Sequence, residues 1–399
     1  MKKILAFLLA VTMLLCLTAC GKDTPKQDET PDTTTSAKAE DTTTTATEGE
    51  TTTTADTTTA EGTTGTETEA PTSAATQAPT TGTTAEVKPT KTEGTTSTTQ
   101  PTTQPTQPED NRPTIKILSI GHSFSRDAMD TYMADLFKAA GYNATFGYLY
   151  YPGASLERQY HYVKDDSQSY EMYNKCVDGK WYRSNGNARA SDALSDEDWD
   201  IVTFQPSPDF GKGTMETSCD WGCPQKPAND YVHFDALVSN VKKQLKQYGN
   251  EDVKFYWHLT WAFASDCKLW SFTYSGYNQL TMFWDFIKAT GKYVTPNPYV
   301  EDDFIPCITS IQNVRTSWMG DTFNEPGNYD PNADGYHLND KGDLVAAMTW
   351  VAFFTGKSPM DFKISTKYSD AQYAAFAEAV DNAIKSPLSI TKSSYPTEP

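Results

Sequence analysis

Residues 115–120 read Ile-Lys-Ile-Leu-Ser-Ile and run straight into Gly121-His122-Ser123-Phe124-Ser125. A short, nearly continuous apolar run that stops at a glycine is the pattern of a parallel strand buried on both faces. Beyond it Met129, Tyr132, Met133, Leu136, Phe137 and Ala140 recur at three- and four-residue spacing, one apolar helix face, and Gly141 stands where such a helix ends. The unit is strand, turn, helix, with serine in the turn.

The unit repeats toward the C-terminus. An apolar segment over 145–151 precedes a helical stretch from about Leu156. Trp199 to Gln205 reads as a strand and is followed, after a long loop to Pro227, by a helix over Tyr231 to Tyr248. Val253 to Leu259 is a fourth strand, Tyr277 to Ala289 a helix ended by Gly291, Tyr293 to Thr295 a fifth apolar run, and roughly Asp340 to Phe354 a closing helix. This alternation predicts an α/β fold: a mostly parallel sheet of about five strands, helices on both faces, right-handed connections. Asp178-Gly179 between two strand-like runs is a type I′ turn signal, which predicts a small β-hairpin insertion.

Ligands of such sheets bind at the carboxyl ends of the strands. The residues that follow the predicted strands are Gly121 to Ser125, Pro152-Gly153-Ala154-Ser155, Gln205-Pro206-Ser207 and His258, and Asp334-Gly335-Tyr336-His337 precedes the closing helix. A serine hydroxyl becomes a nucleophile when a base takes its proton. Ser123 is the candidate nucleophile, His337 the base, and Asp334, three residues before it, the carboxylate that orients the imidazole. The backbone N–H groups of Ser123 and Gly153, with the Gln205 side-chain amide, are the candidate oxyanion hole. His122, His258 and Trp261 are candidate substrate contacts, and aromatics at 148, 150, 151, 221, 261 and 270 suit the stacking of sugar rings. Nothing calls for a metal or a cofactor: Cys219 and Cys223 have ligand-like spacing, but no second Cys or His pair follows.

Gly-His-Ser-Phe-Ser after the first strand, Gly-Ala-Ser-Leu-Glu-Arg after the second, Trp-His-Leu-Thr-Trp-Ala at the fourth and Asp-Gly-Tyr-His-Leu-Asn-Asp near the end resemble the SGNH (GDSL-type) serine hydrolases over residues 114–357, and in particular a lipoprotein-containing branch of them. The resemblance implies a flavodoxin-like three-layer α/β/α fold and Ser-His-Asp esterase chemistry, often deacetylation of polysaccharide. By position Ser123 matches the nucleophile, His337 the base, Asp334 its partner and Gly153 an oxyanion donor. Gln205 stands in Phe204-Gln205-Pro206 where the superfamily has an Asn, and His122 where Asp or Asn is usual. The expected substrate is an acylated carbohydrate or other small ester; the alternatives are a non-catalytic glycan- or cell-wall-binding protein on the same scaffold, or a lipase or thioesterase.

Upstream of residue 113 the composition changes. Residues 21–112 hold 36 threonines, no Phe, Trp or Tyr, and 6 basic against 16 acidic residues. Such a segment has too little apolar surface to offset the ordering cost of about 1–2 kcal/mol per residue. It reads as a disordered linker whose mean reach is about 50 Å. Residues 1–19 have a basic start and an apolar run, and Leu17-Thr18-Ala19-Cys20 resembles the bacterial lipobox, which makes residues 1–19 a signal peptide and Cys20 the lipidated terminus of a domain over 113–399. The expected location is the extracellular face of the bacterial membrane, held by that anchor. A net charge of −19 excludes nucleic acid, which needs clustered Lys and Arg.

Overall fold

A computed structural model of the chain describes residues 111–206, 229–272, 278–326 and 334–398. Cys20, the threonine-rich segment, Trp221 and the Cys219/Cys223 pair lie outside them.

The apolar run at the start becomes β1 (Thr114–Gly121), which is buried from Ile117 onward. The periodic stretch after it is two helices, α1 (Ser123–Met129) and α2 (Met133–Ala139), where the spacing had predicted one. Asp130 caps α1, its N–H returning to the Arg126 carbonyl, and Tyr148 donates a hydrogen bond of 2.9 Å to its carboxylate. β2 (Asn143–Tyr150) and α3 (Leu156–Asp165) follow, Ser155 capping the helix through the Arg158 N–H. Next come β3 (Met172–Val177), β4 (Lys180–Arg183), α4 (Ala190–Leu194) and β5 (Ile201–Phe204). α5 (Asn229–Val232), α6 (Phe234–Gln247), β6 (Lys254–His258), α7 (Leu269–Phe272) and α8 (Gln279–Ala289) lead to β7 (Val300–Ile305). The chain ends in α9 (Cys307–Val314), α10 (Asp340–Thr355) and α11 (Asp370–Lys385).

The strands form one sheet in the order β4-β3-β2-β1-β5-β6-β7. Five of them, β2-β1-β5-β6-β7, are parallel, and numbered by themselves they have the doubly wound order 2-1-3-4-5. The expected hairpin lies, in sequence, between the second and third parallel strands. β3 pairs antiparallel with β2 and β4 with β3, so it widens the sheet to seven strands. Its turn takes Asp178 and Gly179 to φ +48° and +84°, the two positive values that a type I′ turn demands.

The fifth parallel strand is displaced from its expected position. Tyr293 to Thr295 falls in and just after a π-helical turn, Thr290–Val294, and Pro296 and Pro298 follow it. β7 lies further on, over Val-Glu-Asp-Asp-Phe-Ile, and buries only Val300, Phe304 and Ile305. It is an edge strand with acids facing water, so no apolar run marks it.

α3, α4, α5 and α6 pack together as one layer, and α1, α2, α9, α10 and α11 as another. α10 is buried on every side from Leu344 to Ala352, the signature of a helix enclosed within its layer. The site follows from this arrangement: β1 pairs with β2 on one side and with β5 on the other, so the winding reverses at its carboxyl end, beside Ser123.

Candidate active site

Ser123 opens α1 directly beyond β1 and is 7% exposed. His122 builds the turn before it. Its Nδ1 accepts the Phe124 N–H at 3.4 Å and its Nε2–H donates to the Pro206 carbonyl at 2.7 Å, tying the ends of β1 and β5 together. Burial, with the charge of His337 a smaller contributor, drives its pKa down to about 3, against the hydrogen bond to Pro206. The ring is neutral, and both nitrogens are occupied.

His337 reaches the same place from far along the chain. Its Nδ1–H donates to Asp334 Oδ2 at 2.5 Å, and the other Asp334 oxygen accepts the backbone N–H groups of Tyr336 (2.8 Å) and His337 (2.9 Å). Burial works against the charge on Asp334, yet these bonds outweigh it and hold the carboxyl below its usual range. For His337 burial also opposes charge, and the Asp334 hydrogen bond with the charges of Asp127 and Asp334 raises it above the ordinary imidazole value. With Nδ1 donating, Nε2 carries the lone pair, and it is buried with no hydrogen-bond partner in the structure. The Phe124 ring, next to Ser123, meets the His337 ring edge-on at 5.8 Å between centroids. The helix that Ser123 opens and the turn that carries His337 are thus in contact, although no hydrogen bond joins Ser123 to Nε2. Such bonds are often long or misaligned without substrate.

Gly121 accounts for the tight approach beneath the serine. A Cβ there would lie 2.6 Å from Ser125 Oγ and 2.9 Å from Gln205 Cδ, so only glycine admits the Gln205 side chain. Its carbonyl accepts Gln159 Nε2–H at 2.9 Å and the Tyr151 N–H at 3.4 Å, which draws α3 and the turn after β2 against it. Gly153 lies in that turn at φ +56°. Gln205 Oε1 accepts hydrogen bonds from Ser125 Oγ and, at 3.3 Å, from His258 Nδ1–H, while Ser119 Oγ bonds Ser125 Oγ at 2.7 Å. Both acceptor positions are used. The Gln205 Nε2 group is left buried and without a partner.

The expected substrate contacts are differently placed. His258 is wholly buried against Trp350, and burial, with His122 contributing, lowers its pKa to about 3. Trp261 is wholly buried too, its ring stacked on Phe124 at 4.5 Å and its indole N–H given to the Tyr336 carbonyl at 2.8 Å. With His122 they are buried and packed or bonded to residues of the site itself: His122 to Phe124 and Pro206, His258 to Gln205, Trp261 to Phe124 and Tyr336. Tyr148 is likewise buried and hydrogen-bonded to Asp130, Asn174 and Arg183. Two residues to which the sequence assigned no role enter here: Ser125, the last residue of the Gly-His-Ser-Phe-Ser motif, which aims Gln205, and Asp127, whose carboxylate accepts the Leu338 N–H at 3.3 Å. Their spacing from Ser123, two and four residues, was the signal available. Among the described residues no group of three or more His, Cys, Asp or Glu is arranged to hold a metal ion.

A family model described as a domain of unknown function, DUF4886, matches residues 116–380. No curated protein matches the chain. Among solved structures it is similar to a DUF4886 family protein from Bacteroides uniformis, with 28% identity, 70% of this chain and 98% of that one covered, and a TM-score of 0.59. An acetyl xylan esterase, AlAXEase, aligns at 15% identity over 60% of this chain and 99% of that one, with a TM-score of 0.32.

Proposed function

The chain belongs to the DUF4886 family, and from the geometry of its site we propose that it is a serine ester hydrolase. One observation carries the reading: Asp334 holds Nδ1 of His337 and leaves Nε2 buried, unpartnered and next to the helix that Ser123 begins. In the proposed reaction Ser123 Oγ attacks the acyl carbon and its proton passes to Nε2. The ester C–O bond then breaks, and the leaving oxygen takes that proton. Water attacks the acyl-serine in turn, again through Nε2, which releases the carboxylic acid and restores the serine. The N–H groups of Ser123 and Gly153 and the unpartnered Nε2 of Gln205 are assigned to the carbonyl oxygen as its charge develops, where one donor is typically worth about 3–4 kcal/mol.

The substrate we favour is an O-acetyl ester of a polysaccharide, attacked by a protein tethered to the outer face of the membrane through Cys20. The sequence of the leader and the threonine-rich segment supports the tether. The purified protein is expected to react with a fluorophosphonate probe and to hydrolyse a chromogenic acetyl ester. Ser123→Ala should remove labelling and lower turnover by about 10³-fold or more. Turnover unchanged in that variant would sink the reading.

A further inference from the structure

We propose that Asp127 is a positioning residue for His337: its carboxylate fixes the turn Asp334 to Leu338 against the helix that carries Ser123 and sets a second negative charge beside the imidazole.

Ser123 and Asp127 are four residues apart in α1 and therefore share a helix face. Asp127 Oδ2 accepts the N–H of Leu338, the residue after His337, across 211 positions of sequence. One side chain thus fastens the serine helix to the histidine turn, a job that no member of the Ser-Asp-His set performs. Asp334 cannot replace it, because Asp334 belongs to the same turn as the histidine and moves with it.

The charges around the pair give the bond a second consequence. His337 is faced by Asp334 in its own turn, by Asp127 and Arg126 from α1, and by His122 just before α1. Asp127 is faced by His337, Arg126 and Asp334, by Asp343 from α10, and by Tyr150 from β2. Burial raises the Asp127 carboxyl to about 6, against the pull of His337 and Arg126, so it is ionised at neutral pH. Asp343 is pushed up to about 9 by burial and then by the negative field of Asp127, Asp340, Glu325 and Asp130, so it stays protonated there. Of the two half-buried acids it is Asp127 that carries charge, and that charge favours the imidazolium formed whenever Nε2 holds a proton.

The catalytic half of this inference rests on the hydrolase reading, whereas the coupling of the two side chains does not. The test is an NMR titration of His337 in the full chain, with its signal assigned by its loss in His337→Gln. In Asp127→Asn, which keeps an oxygen for the Leu338 N–H but loses the charge, the midpoint should fall by on the order of 1 pH unit. An unmoved midpoint overturns the inference whether or not the protein turns over ester. In the hydrolysis assay the acid limb of kcat/KM should move down with the NMR midpoint. Asp127→Ala, which also frees the turn, should lose more kcat than Asp127→Asn with little change in KM. A kcat for Asp127→Ala equal to that of Asp127→Asn would overturn the anchoring role, and Ser123-independent turnover would remove the hydrolase reading while leaving the titration result standing.

Discussion

The site depends on how few of its polar atoms are free. His122 uses both ring nitrogens, Gln205 Oε1 accepts twice and His337 Nδ1 is taken by Asp334, which leaves Nε2 of His337 and Nε2 of Gln205 unpartnered, with Nε2 of His258 unpartnered deeper in the network. His258 aims one of these through Gln205 and is testable by its titration. Its folded pKa is near 3 against about 6.5 in the unfolded chain. The depressed value means that the unfolded state binds the extra proton, so this group's contribution is flat above 6.5 and falls as pH drops from there toward 3. Asp127 and Asp343, with raised values, act in the opposite sense, so the diagnostic is a difference between proteins and not the total. Urea unfolding of His258→Gln should track the wild type at a constant offset above pH 6.5. Below it the wild type should lose about 1.4 kcal/mol per pH unit relative to the variant. Parallel curves would contradict the buried, neutral ring. Ser123, Asp334 and His337 were legible as candidates because a strand end and a turn each display their residue types over a few consecutive positions. Asp127 could not, since its partner is a backbone N–H that only folding supplies.

At the scale of elements, the start of α10 matters most to the site. Asn339 caps it by accepting the N–H groups of Lys341 and Gly342, and its own amide donates to the carbonyls of Thr322 and Asn324. Glu325 then bonds back to the His337 carbonyl at 2.9 Å. Gly342 is where this junction closes: a Cβ would stand 2.2 Å from the Phe323 carbonyl oxygen and 2.7 Å from Leu338. Gly342→Ala must therefore push the segment at 323 away, and with it the bridge between Asn324 and Leu338. A loss of about 1–3 kcal/mol is expected, together with slower fluorophosphonate labelling; a variant that melts and labels like the wild type would show that the junction yields. The same scale explains what the sequence hid. The β3–β4 hairpin was legible because Asp-Gly forces its turn. α9 was not: Cys307, Ile308, Ile311 and Val314 do fall at helical spacing, but over only eight residues, and its Thr, Ser, Gln and Asn are buried as well, so no exposed face sets it apart. β7 was missed for the converse reason, since an edge strand with outward acids lacks the apolar run of its neighbours.

For the molecule as a whole, the change of composition at about residue 113 is plain in the sequence, where residues 21–112 carry 10 of the 19 net negative charges. The proposed anchor makes a prediction at this scale. Cys20→Ala should abolish metabolic lipid labelling and move the protein out of the membrane fraction, and a variant still labelled and membrane-bound would refute it. β1 begins at Thr114, just after the segment, and ends at Gly121 beside Ser123, about 25 Å away along the strand. The two ends of this central strand thus lie at opposite ends of the parallel strands, with Ser123 at the carboxyl end.

β1 also lies between β2 and β5, bonded to both in parallel register. A force directed along β1 from Thr114 would load this central strand lengthwise. Its two ladders must shear together and cannot unzip bond by bond, so the strand that supports the serine is also the one that would bear mechanical load.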